Sequence, residues 1–220
     1  MKTALVVCAG PQGRIDAEVL QAQGGYDNIE FIDDNPKLWG QVINGVPVTG
    51  GIASLQERRR DSVGAVVALG NPVVRLRIAR QLEEMGIPFL NAIHPSATVS
   101  PSVKIGKGVT IEPSATISAN VVLGDHIPIM IGAMVGHDTM IADGATVTAG
   151  VLVSSRVQIG RGAFLCDGAI VLPRLVVGAG SIVAASALVT RDVPPGVLVV
   201  GVPAHKKEDV CPDFDWSRLL

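Results

Sequence analysis

From Ile93 onward an aliphatic residue recurs at every sixth position: Ile93, Val99, Ile105, Ile111, Ile117, Leu123, Ile129, Val135, Ile141, Val147, Val153, Ile159, Leu165, Val171, Val177, Val183 and Val189. A period of six fits neither an α-helix at 3.6 residues per turn nor a simple strand at two. It is the spacing of a parallel β-helix, in which three hexapeptides make one triangular coil and each aliphatic residue points inward. Two positions earlier the chain favours small or β-branched residues, among them Ala97, Val103, Ala115, Ala133, Ala145, Ala163, Ala169 and Ala187. A narrow interior with layers at strand spacing requires such residues. Glycine directly follows the aliphatic position at Gly106, Gly124, Gly136, Gly160 and Gly178, where it is expected to supply backbone freedom at the turns. The pattern stops at RDVPPG, residues 191–196, whose prolines cannot donate to a ladder.

The first 90 residues are patterned differently. TALVVCAG reads as a buried strand, PQGRIDAEVLQAQG as a helix and IEFIDD as a second strand. A loop containing NGVPVTGG, a short helix near SLQERRRD, the strand AVVALG and the helix NPVVRLRIARQLEEMG follow, with IPFLNAIH as a last extended segment. Such alternation predicts a parallel sheet covered by helices, about half of a dinucleotide-type fold. The expected organisation is therefore an α/β, Rossmann-like domain over residues 1–90 and a parallel β-helix over residues 91–193. Residues 194–220 form a tail that caps the open coil end or contacts a neighbour, since that end is an exposed sheet edge.

Composition narrows the function. Eighteen basic against 20 acidic residues leave no basic surface for nucleic acid, and 3% aromatics supply few stacking platforms for bases. Mean hydropathy is +0.42, yet charges and glycines interrupt every apolar run before the roughly 20 residues of a membrane span. The N-terminal apolar run is too short for a signal peptide and leads into a Gly-bearing turn. The chain thus reads as cytoplasmic, without nucleic acid or membrane insertion. Cys8, Cys166 and Cys211 form no CxxC pair, and no two histidines share metal-ligand spacing, so no metal is expected.

Candidate chemistry is sparse in so apolar a repeat. His137 follows inward Val135 by two positions, which turns it outward beside Asp138. A His next to a carboxylate can act as general base, the acid fixing its tautomer; the alternative is an ordinary surface His. Gly136 is expected to let a substrate approach the backbone. His94 reads as structural, His126 as lining a turn, and His205 as a tail residue. In the first domain, CAGPQGR follows a strand and opens a helix, so Gly10 and Gly13 lie where N–H groups can meet a phosphate. Asp33 and Asp34, ending the second strand, either accept from a nucleotide or form a solvated turn. Residues 57–60, ERRR, read as a solvated helix face.

Together the turn at Gly10 and Gly13, FIDDNP, ALGNP, RIARQLEEMG, AIHPSATVSPSV, the hexapeptides, the GHD at His137, VTRDVP and GVPAHK resemble the left-handed β-helix sugar acyltransferases. The likeness is to their sialic-acid O-acetyltransferase and nucleotide-aminosugar N-acetyltransferase group. The resemblance implies a left-handed coil, a homotrimer, and acetyl-CoA as co-substrate in the groove between neighbouring β-helices. It implies His137 as base, Asp138 orienting it, and acetyl-CoA contacts at Ser155, Asp167 and Ala185, with a backbone N–H near Ser155 holding the thioester oxygen. For the nucleotide-sugar it implies Gly10, Gln12, Gly13, Asp33, Asp34, Lys37, Asn71 and Met130.

The chain departs from that group in three places. Pro11–Gln12 replaces a GGH turn, Met130–Ile131 replaces an Asn–Thr pair, and Thr146 stands where many relatives carry a second His. Each lost group is expected near the acceptor. The reading these features support is N-acetylation of a UDP- or GDP-linked 4-amino-4,6-dideoxy sugar for surface glycan or lipopolysaccharide synthesis. O-acetylation of a sialic-acid type sugar and a non-catalytic trimeric nucleotide-sugar scaffold are the alternatives.

Overall fold

The structure, a computed structural model, describes residues 2–57, 63–211 and 214–216. Residues 58–60 of the ERRR stretch lie outside the described residues. The N-terminal elements are β1 (Thr3–Val7), α1 (Pro11–Gln23), β2 (Asn28–Ile32), β3 (Val42–Ile43), β4 (Val46–Pro47), β5 (Val63–Val67) and α2 (Pro72–Glu84). β1 is an apolar run because both its faces are covered, as in a parallel sheet packed between helices. The sheet order is β2-β1-β5, all parallel, with one apolar core on each side. Both helices begin with proline, which lacks an N–H that would be orphaned there, and Asn71 caps α2 by accepting from Val73 N and Val74 N. The stretch expected as a loop contains a hairpin, β3–β4, turning on Asn44 (φ 49) and Gly45 (φ 80). Two successive positive φ values make the type I′ turn that Asn-Gly favours.

The hexapeptides stack into three sheets, which with the tail strands number eight, six and five strands, all parallel except the last strand of the eight. The first face carries Thr110–Ile111, Pro128–Ile129, Thr146–Val147, Phe164–Leu165 and Ile182–Val183. The second carries Thr116–Ile117, Met134–Val135, Leu152–Val153, Ile170–Val171 and Leu188–Val189; the third carries Val122–Leu123, Met140–Ile141, Gln158–Ile159 and Val176–Val177. Each strand pairs with the one eighteen residues on, as Thr116 does with Met134. The aliphatic column and the small residues fill the interior at close to zero exposure.

The glycine expectation is corrected. Positive φ falls three residues after the aliphatic position, for example at Gly162 (φ 65) and Asp138 (φ 59), and not one residue after it. Gly136 and Gly160 are small for another reason: a Cβ at Gly136 would sit 2.6 Å from Ser155 N, and one at Gly160 would overlap Ala179 N. These glycines let successive coils approach, Gly136 making room for the backbone of the coil above it.

The prolines do not end the ladder either. Val193 still bridges Val177, Pro195 lies in a turn that needs no ladder donor, and Val197–Val200 adds a parallel strand beside Ile182–Val183. His205–Asp209 then returns antiparallel on that strand. Phe214 and Trp216 pack with Phe164, Cys166, Ile182 and Leu198. The first face is thus sealed, by the N-terminal domain below and the tail above, and Thr146, Phe164 and Ile182 are buried. The other two faces stay open, with Met134 46% and Ile170 37% exposed on the second and Met140 56% exposed on the third.

Candidate active site

The corner between second and third faces carries His137 and Asp138. His137 follows the inward Val135 and projects to solvent; Asp138 occupies the left-handed corner slot, which Asp tolerates better than most residues. His137 Nδ1 lies 2.7 Å from Asp138 Oδ2. A carboxylate can only accept, so Nδ1 donates and Nε2 keeps its lone pair outward. Asn120 Nδ2, one coil below, donates to Asp138 Oδ1 at 3.1 Å, and Arg156 Nε, one coil above, lies 3.8 Å from Oδ2. The hydrogen bonds from His137 and then Asn120 hold the Asp138 carboxyl below the usual carboxylate range. Ser155 lies one coil above His137, and among the described residues its N–H donates to no backbone acceptor. The ledge there is lined by Met134, Gly136, Leu152, Ser154, Ser155 and Pro173.

Asp167 and Ala185 lie elsewhere, exposed on the corner between first and second faces. One chain therefore does not bring together the residues expected to meet the acyl donor: the second face separates Asp167 and Ala185 from Ser155 and His137.

The N-terminal set clusters at the ends of β1, β2 and β5. Gly10 opens α1, and a Cβ on Gly13 would overlap the Cys8 carbonyl, so that glycine lets the helix close on the strand. The Asp33 carboxylate accepts from Ala9 N and Asn35 N, and Asp34 Oδ1 accepts from Ile52 N. Both acids brace the loops at the end of β2, near exposed Lys37. Asn71 spends its side-chain oxygen on the α2 cap. Gln12 Nε2 donates to Asp16 Oδ1 at 2.9 Å and Glu112 Oε1 at 3.0 Å, which ties the first turn to the β-helix near half-buried Met130.

Sequence reasoning missed the polar network between the domains. Arg75, 2% exposed, donates Nε to His126 O, Nη1 to Leu69 O and Gly70 O, and Nη2 to Gly144 O and Thr146 Oγ1. Burial lowers its pKa to about 10. Burial likewise raises Asp16 to about 7 and pushes Glu112 up. The signal was available: Arg75 shares a stripe with Pro72, Ala79 and Leu82, the buried face of α2. Thr146 is fully buried under this arginine, which corrects the expectation that it borders the acceptor; its hydroxyl is an interdomain acceptor. His126 is buried against Phe89 with its pKa lowered by desolvation, and His94 Nδ1 accepts from Ser96 N; both are structural.

Residues 4–82 match the PglD N-terminal domain family. The chain is 34% identical over 113 residues to a UDP-N-acetylbacillosamine N-acetyltransferase of Bacillus subtilis; the match covers 50% of this chain and spans about half, 51%, of that relative. A mutant of perosamine N-acetyltransferase from Caulobacter crescentus, solved with CoA and GDP-perosamine, superposes with a TM-score of 0.89 at 33% identity, covering 95% of this chain and 98% of the other. The acetyltransferase domain of PglB from Neisseria gonorrhoeae, solved with acetyl coenzyme A, gives 0.90 at 32% identity over 94% and 99% of the two chains.

Proposed function

The chain belongs to the β-helix family of nucleotide-aminosugar N-acetyltransferases, and on that premise we propose that it moves the acetyl group of acetyl-CoA to a UDP- or GDP-linked 4-amino-4,6-dideoxy sugar for surface glycan synthesis. The observation that carries this reading is the outward His137 whose Nδ1 is spent on Asp138. The sugar amine attacks the thioester carbonyl, a C–N bond forms, His137 Nε2 takes the amine proton, and the C–S bond breaks as that proton passes to the departing thiolate. The Ser155 N–H meets the oxyanion, and the Asp138 carboxylate steadies the imidazolium. Gly10, Gln12, Gly13, Asp33, Asp34, Lys37, Asn71 and Met130 edge the nucleotide-sugar cleft. The free thiols of Cys8, Cys166 and Cys211 fit action in the reducing cytoplasm.

The working unit is a homotrimer with second faces toward the axis. That arrangement sets the His137 corner of one copy beside the Asp167 and Ala185 corner of the next, joining the two halves of the acyl-donor site. The exposed Met134 and Ile170 of the second face are apolar enough for such contact.

Thiol release from acetyl-CoA, with a panel of UDP-, GDP- and TDP-linked 4-amino sugars, tests the reading. We expect turnover on one member and a loss of about a hundredfold or more in His137→Ala, with the trimer intact by sedimentation. Near-full turnover in that variant would sink the mechanism.

A further inference from the structure

We propose that Arg156, Arg174 and Arg191 form a guanidinium ladder that grips the phosphates of coenzyme A and sets the direction in which the acyl donor lies. The proposal rests on the acyltransferase reading above. Arg156 and Arg174 occupy the Asp138 slot on the next two coils: Arg156 N donates to His137 O at 2.9 Å, and Arg174 N to Ser155 O at 3.1 Å. Arg191 follows Val189 by two residues, as Pro173 follows Val171, and those strands pair in register. It therefore stands in the His137 column three coils up. At a strand spacing of roughly 4.8 Å the ladder rises about 5, 10 and 14 Å above His137.

Two features turn this column into a site for anions. The first is one-sidedness. The equivalent positions below His137 are Pro101, Ser102, Ala119 and Asn120, which carry no charge. The second is availability. Arg156 has only the loose 3.8 Å approach to Asp138, at 54% side-chain exposure. Arg174 and Arg191 are exposed and, among the described residues, make no side-chain hydrogen bond or ion pair. The nearby carboxylate of Asp192 is engaged by Val176 N. Two unpartnered guanidiniums above one that only loosely meets Asp138 raise local potential along the edge and repel one another, a standing cost unless an anion settles there.

Coenzyme A supplies that anion at a matching distance. Its arm between sulfur and pyrophosphate is comparable to four extended residues, about 14 Å. With the thioester carbon at His137 Nε2, the phosphates arrive level with Arg174 and Arg191, whose planar forks suit phosphate oxygens. The opposite wall, the first corner of a second copy, carries Gly132 and Gly150, where a Cβ would meet nothing within 4 Å. Bare backbone there leaves the arm room to lie flat.

The competing role for the arginines is assembly, through Asp167 of a second copy. Calorimetric titration of the intact protein with coenzyme A and with pantetheine, which lacks every phosphate, separates the two. We expect Arg174→Met/Arg191→Met to weaken coenzyme A binding at least tenfold, to leave pantetheine binding equal to wild type, and to remain trimeric by sedimentation. Wild-type affinity should also fall with rising salt while pantetheine affinity does not. Unchanged coenzyme A affinity, an equal loss for pantetheine, or dissociation of the trimer would each overturn the ladder. The reading of the reaction is judged separately: coenzyme A that binds through the arginines without turnover on any amino sugar would refute the transferase and leave the ladder standing. Wild-type protein that binds no coenzyme A refutes both.

Discussion

At the scale of single residues, position 138 has two duties. Its φ of 59 closes the corner, and its carboxylate receives His137 Nδ1 and Asn120 Nδ2. Asn tolerates the left-handed region as Asp does, whereas Ala does not. Asp138→Asn should therefore keep the fold and lower kcat by on the order of a hundredfold, because the imidazolium loses its counter-charge. Asp138→Ala should match that loss and also melt about 2–4 °C lower. Steady-state kinetics beside thermal melts on both variants check this; full turnover in the Asn variant would reduce Asp138 to a corner residue. The His137–Asp138 pair was legible because two polar residues face outward in an apolar repeat. Asn120 and Arg156 were missed because they lie eighteen residues away on either side, in a column visible only when the chain is read by coil. Asp16 and Arg75 were missed because a helix reading assigns charge to solvent, and here it sits on the buried stripe of each helix.

At the scale of elements, the hexapeptide period is enough to give the three-faced coil, and the strand–helix alternation is enough to give the N-terminal parallel sheet. The period alone did not say which glycine needs its conformation and which needs its size, because a six-residue repeat offers several glycine slots with different neighbours. Gly160 and Gly162 separate the two demands two residues apart. A methyl at Gly160 has backbone in its way on the coil above, and the backbone of a β-helix cannot yield without opening its ladder. A methyl at Gly162 meets nothing within 4 Å and suffers only the left-handed penalty at φ 65. Gly160→Ala should cost about 3 kcal/mol or more, and Gly162→Ala about 1 kcal/mol. Denaturant unfolding of both would show it, and equal costs would mean that the coils slide apart more easily than close stacking implies.

At the scale of the molecule, the N-terminal domain is bolted to the first face by groups that water rarely reaches, so the joint carries a pH dependence of its own. Asp16 is 2% exposed and faces Gln12, Thr110, Glu112 and Arg75. Burial raises its pKa from 3.8 to about 7, so between those values the folded chain holds a proton that the unfolded chain has released. Stability then falls as pH rises through that window, and Glu112, raised by the same cause, adds in the same direction. The attraction of Arg75 opposes this without cancelling it, since its five donors go to carbonyls and to Thr146. Asn at position 16 can accept from Gln12 through its oxygen and donate to the Thr110 hydroxyl through its nitrogen, with no charge to bury. Melting curves from pH 5 to 8 should therefore show wild type losing Tm relative to Asp16→Asn as pH climbs, with the gap widest above pH 7. Parallel curves would mean that the carboxylate is already ionised in the joint at pH 5 and that Arg75 offsets its burial. In that case the two domains would be held by an ion pair, and rising salt instead of rising pH would be what loosens them.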